Sequence, residues 1–266
     1  MSVVIPQRLV WTEQPQWPVH PNRELIPTLS HLWIPCGSPR GFIDIAGGWD
    51  APNMADGTQG LGQSGVAHIG SGAASLWGER GLYTASGFGN DWGTSTSSVV
   101  YSHTVFGLVE FDSLASSSEF SILRCDEQTT NYMFGLDVFP STKTVRPLVR
   151  TSGTSGWTVN NDKVHNEIVV STPLIIAYRY TDGSPIESLV APIGGTQVWT
   201  KTATNVSGGI RQANTNAMYA HIGGFGNNGN ASSFPGKIYM VGMVPYAMSD
   251  AEMQSVIDNP WIVCAK

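Results

Sequence analysis

The chain has 266 residues, thirty of them glycine, with 41% hydrophobic and 13% charged residues; it has the apolar material for a packed core and too little charge for a disordered chain. A formal charge of −6, with fourteen Lys and Arg residues scattered along the sequence, leaves no basic stripe to track a phosphate backbone, so nucleic acid is excluded as a partner. No stretch approaches the roughly 18 apolar residues of a membrane span, and the start, MSVVIPQRLVW, lacks the basic region and apolar run of a signal peptide. The expectation is synthesis in the cytoplasm without membrane insertion.

Residues 1–28 stand apart. Pro6, Pro15, Pro18, Pro21 and Pro27 fall here, with Trp11 and Trp17 between them. Proline fixes φ and removes a backbone donor, so the segment reads as an extended arm rather than a helix or central strand. It either lies across its own domain or docks Trp11 and Trp17 into a neighbouring subunit.

From about residue 30 to 245 short β-branched and aromatic runs alternate with Gly, Asn, Asp, Ser and Pro clusters. Strands are predicted at 31–36, 99–112, 119–125, 131–139, 144–150, 172–180 and 237–246. In NYMFGLDVF, Tyr132, Phe134, Leu136 and Val138 share one face, while Met133, Gly135 and Asp137 take the other. That alternation suits a half-buried antiparallel strand. The glycine-rich stretch 47–93 reads as rim loops with one or two edge strands, and GGFGNNGN (223–230) as a tight connection. One helix is predicted: Ser249-Asp250-Ala251-Glu252 is a capping box, with Met248 and Met253 placed as a hydrophobic staple and Asn259-Pro260 ending the helix. Cys36, Cys125 and Cys264 are odd in number and widely spaced, and read as small buried hydrophobes; a Cys36–Cys264 bridge stays open. The fold expected is all-β, an antiparallel jelly-roll β-sandwich over residues 29–266 with a short C-terminal helix, preceded by the arm.

In the order Tyr180-Thr181-Asp182-Gly183, Ile222-Gly223-Gly224, Gly236-Lys237-Ile238, Met248 to Met253 and Asn259 to Trp261, the chain resembles the laminin-G-like, concanavalin A-like superfamily. Asp44-Ile45-Ala46-Gly47 is similar to the turn after that family's first strand, with Ala46 replacing Ser. The resemblance covers about residues 30–263. TEQPQWPV followed by PNRELIPTLSHLW resembles the openings of laminin-G-like proteins of tailed bacteriophages and prophages. It implies a non-enzymatic virion structural protein (capsid decoration, head-fibre or tail-associated), made in the host cytoplasm. Its partners would be other virion subunits held through Trp11 and Trp17, and itself as a homo-oligomer, a trimer being the expectation.

Two other functions are weighed. Glucan hydrolases of the superfamily carry Glu, Asp and a second Glu on one strand face; here Glu110 and Asp112 are present, but Leu114 and Ala115 stand where the second Glu would be. No nucleophile elbow, P-loop or HExxH motif occurs, and the six histidines are dispersed. A lectin-like module for host surface glycans needs an aromatic face ringed by polar side chains. Asn90, Asp91 and Trp92 have that make-up, as do Trp157 with Asn160 and Asn161, and Phe225 with Asn227 and Asn228. No cofactor is expected except calcium, for which Asp44, Asp50 and Asp56 are the candidate ligands.

Overall fold

In the computed structural model the described residues are 31–37, 41–44, 74–76, 99–100, 102–127, 131–149, 162–208, 210–211, 218–223 and 234–261. They form two antiparallel sheets packed face to face. The first runs in the order β12 (Thr200–Val206), β11 (Ser184–Pro192), β10 (Leu174–Thr181), β5 (Ser102–Phe111), β15 (Gly236–Val244), β1 (His31–Gly37) and β2 (Gly41–Asp44). The second runs β3 (Ala74–Leu76), β14 (Met218–Ile222), β6 (Phe120–Glu127), β7 (Asn131–Phe139), β8 (Thr144–Val149) and β9 (Lys163–Val164). A short ribbon pairs β4 (Val99–Val100) with β13 (Ile210–Arg211). The expected all-β sandwich is the fold observed.

Period-two alternation decides what each strand buries. In β7, Phe134, Leu136 and Val138 point between the sheets, beside Phe120 and Ile122 of β6 and Val145 and Val149 of β8. From the seven-stranded sheet they meet Trp33, Val105, Val109, Phe111, Tyr178 and Tyr180. The central strand β5 is apolar on both faces, because its outer side is covered as well. Phe106 and Leu108 there join Leu32, Ile175, Ala177, Leu189 and Met240 under Met248, Met253, Val256 and Ile257. The last three belong to α1 (Asp250–Asp258). The helix therefore seals one outer face of the sandwich.

The capping box is present as expected. Glu252 N–H donates to Ser249 Oγ at 3.3 Å, and Ser249 N–H donates to Glu252 Oε2 at 2.7 Å. Met248 and Met253 are both buried at the staple positions.

All seven predicted strands have counterparts; the run 99–112 divides into β4 and β5. Strands β11 and β12 carried too weak a pattern to be predicted. SPIESLVAP holds two prolines and a Glu, and the β11–β12 register shifts between Pro185 and Glu187, where a ladder bond is interrupted. The arm, residues 1–28, lies outside the described residues.

Candidate functional site

The two outer faces differ in chemistry. Helix α1 and its apolar neighbours close one. The other, on the six-stranded sheet, carries charge. Since Leu136 and Val138 point inward, Asp137 between them points outward; since Val145 points inward, so does Arg146 point outward. Asp137 pairs in register with Arg146 on one side and Ser121 on the other. Arg124 of β6 completes the row.

These side chains form a network. Arg124 Nη1 lies 3.3 Å from Asp137 Oδ2 and 3.7 Å from Glu119 Oε1. The same Glu119 oxygen is 3.5 Å from Arg146 Nη1, so one carboxylate bridges two guanidinium groups. Arg146 also grips Asp162 as a fork, Nε to Oδ1 at 2.6 Å and Nη2 to Oδ2 at 2.8 Å. Its guanidinium stacks 4.3 Å over the Phe139 ring, which shares the outward face. Arg124 and Asp137 are buried, while Arg146, Glu119 and Asp162 are progressively more open to solvent.

Burial sets the protonation. It pushes the Asp137 carboxyl well above the usual carboxylate range; Arg124 pulls it down, and nearby Glu119 pushes it further up. Neither Asp137 oxygen, nor the Ser121 hydroxyl, has an aligned hydrogen bond. Arg146 is held above its usual value, first by its hydrogen bond to Asp162.

A second polar cluster sits at the edge of the helix-covered face. Arg179 pairs with Glu187, donates to Met248 O at 2.7 Å and to Asp250 Oδ1 at 2.7 Å, and lies 4.3 Å over the Trp199 ring. Each partner belongs to a different piece, β11, the helix approach, α1 and the segment before β12, so the arginine ties them together.

The residues weighed as a hydrolase motif do different work. Glu110 Oε1 accepts from Lys237 Nζ at 2.7 Å and Oε2 accepts from the Tyr239 hydroxyl at 2.8 Å. Asp112 follows β5 and is 3.8 Å from the same Lys237. Leu114 packs against the core in the region where a second acid would be needed.

Asp44 is the end of β2, paired in register with Trp33. Asn90, Asp91, Trp92, Trp157, Asn160, Asn161, Phe225, Asn227, Asn228, Asp50, Asp56, Trp11 and Trp17 lie outside the described residues. Among the described residues no group of three or more His, Cys, Asp or Glu side chains could hold a metal ion. Glu119, Arg124, Asp137 and Arg146 were not predicted as site residues. The alternation in NYMFGLDVF did put Asp137 on the outward face; which charges stand beside it depends on strand order and register.

No protein-family model and no curated protein sequence matches the chain. Solved structures do. Trypanosoma rangeli sialidase in complex with sialic acid superposes on 88% of this chain and 33% of its own, with a TM-score of 0.52 and 14% identity. The same sialidase in complex with the inhibitor DANA gives 0.52 at 13% identity over the same shares. The likeness is one of fold. This chain spans about a third of the length of the sialidases it matches. The CBM40 of Ruminococcus gnavus IT-sialidase, bound to α2,3-sialyllactose, overlaps 60% of this chain and 84% of its own at 15% identity, with a TM-score of 0.44, too loose to argue from.

These findings correct one expectation. The missing second acid, the absent catalytic motifs and the virion resemblance were read as marking a non-enzymatic protein, yet chains that share the fold at this level include sialidases, which are enzymes. The fold therefore gives no ground for excluding catalysis. Nor do the likenesses lend support to a virion role.

Proposed function

We propose that the chain is a carbohydrate-binding β-sandwich, the lectin-like alternative of the sequence reading, which takes a glycan on the outer face of its six-stranded sheet. The observation that carries this is Arg146, a part-exposed guanidinium stacked on the Phe139 ring, at the solvent-facing edge of the buried Arg124–Asp137 pair. Planar charged groups that can make paired hydrogen bonds suit vicinal sugar hydroxyls, and strands hold them more rigidly than loops do. Phe139, under Arg146, adds an aromatic surface to the same face. Helix α1 covers the centre of the opposite outer face. The fold is shared with sialidases solved in complex with sialic acid, which makes sialylated glycans the first to try.

The test is a glycan array on the purified full chain, with calcium and with chelator, followed by titration of any hit against Arg146→Ala. Arg146 is partly exposed, so its loss should spare the fold. Expected is a discrete set of bound glycans and at least a tenfold weaker affinity in the variant. A blank array in both conditions, or equal binding by the variant, would overturn the assignment to this face.

A further inference from the structure

The outer-face network holds more acid than base. Facing one another among the described residues are Ser121 and Arg124 of β6, Glu119 just before it, Asp137 of β7, Arg146 of β8 and Asp162 before β9. Two guanidinium groups thus meet three carboxyl groups. Arg146 is committed to Asp162 by its two-bond fork. Arg124 Nη1 is left between Asp137 Oδ2 at 3.3 Å and Glu119 Oε1 at 3.7 Å.

Asp137 is fully buried, and no aligned hydrogen bond satisfies either of its oxygens. An ionised carboxylate without such bonds is costly in an interior, and two carboxylates crowded at one site do not both ionise readily. We propose that Asp137 holds a proton at neutral pH beside the Glu119 carboxyl, and that this proton sets the balance of charge among these five groups. With the proton in place the five groups sum to zero; without it they sum to −1. Losing the proton sets Asp137 against Glu119. Glu119, at 21% exposure, is the partner able to swing toward water, which would open its bridge to Arg146. Burial of Asp137 works in the same direction, raising its affinity for the proton. The inference goes beyond the glycan reading and is tested without any ligand, so either can fail alone.

Urea unfolding of the full chain, of Asp137→Asn and of Glu119→Gln is followed from pH 5 to pH 8. A proton held more tightly in the folded state makes the native protein lose stability as pH rises, so the wild-type midpoint should fall relative to Asp137→Asn across this window. Glu119→Gln removes the like charge and should flatten that trend. A wild-type to Asp137→Asn gap that stays constant with pH would overturn the proposal. Because Asp137→Asn could fail to fold, the wild type and Glu119→Gln are also labelled with ¹³C-aspartate and compared by infrared spectroscopy at pH 7. A protonated-carboxyl band in the wild type that is weaker in Glu119→Gln is expected; absence of that band from the wild type would sink the idea.

Discussion

His103 and Tyr178 share a hydrogen bond of 2.7 Å, Nε2 to hydroxyl oxygen, in the largely apolar interior between the two sheets. They stand on neighbouring strands, β5 and β10, and the imidazole also lies 5.8 Å from the Phe134 ring and 5.6 Å from the Tyr180 ring. Burial lowers its pKa to about 3, so the folded protein carries it neutral.

Acid should therefore unfold the protein early. The unfolded chain takes up a proton at His103 near pH 6.5, and the native state refuses it until about pH 3. The stability that His103 contributes is complete above the unfolded value and is lost as pH falls through that interval, at up to about 1.4 kcal/mol per unit. His165, lowered in the same direction by burial, adds to the slope. Urea midpoints at pH 7, 6, 5 and 4 should fall steeply in the wild type and less steeply in His103→Gln; parallel curves would contradict the assignment.

Helix α1 should depend on its cap. Ser249→Ala removes the acceptor for Glu252 N–H and the hydroxyl that donates to Glu252 Oε2, while the Ser249 N–H bond to Glu252 stays. The expected loss is about 1 kcal/mol. Since Met253, Val256 and Ile257 still dock on the sheet, the transition should stay cooperative, which chemical unfolding followed by tryptophan fluorescence would show.

Arg179 should resist conservative exchange. It combines Glu187, Asp250, the Met248 carbonyl and the Trp199 ring in one planar group. Arg179→Lys keeps the charge but gives up the fork and the stacking surface, so it should recover little of the roughly 2 kcal/mol lost in Arg179→Ala. Thermal unfolding of both variants checks this; full recovery by lysine would mean that charge alone matters.

Two glycines should differ in what alanine costs. A Cβ at Gly236 would lie 2.0 Å from Glu110 O, a backbone atom that cannot step aside. Gly236→Ala should cost more than about 3 kcal/mol and reduce soluble yield. A Cβ at Gly183 meets nothing within 4 Å, and only its φ of +74° is unfavourable to alanine. There the loss should stay near about 1 kcal/mol. Side-by-side urea midpoints decide whether backbone approach or turn conformation is the tighter constraint.

The local rules of the sequence were enough for the elements. Alternation in NYMFGLDVF, the capping box at Ser249 and the Asp182-Gly183 turn each depend on residues a few positions apart; the cap and the turn take the form expected, and Phe134, Leu136 and Val138 share a face, but the strand expected to be half-buried is buried on both faces over residues 134–138. They were also enough to place Asp137 on the face away from Leu136. What lies beside it was decided only in three dimensions. Arg124, Arg146 and Asp162 are brought to it by the order β6, β7, β8, β9 and by a register that puts Arg146 opposite Asp137, and a one-residue slip of β8 would have turned Arg146 inward. Likewise Glu110, which the sequence offered as half of an acid pair, is held by Lys237 and Tyr239 from a strand more than a hundred residues away. Pairing across such distances is set by the packing of whole sheets, which no local pattern encodes.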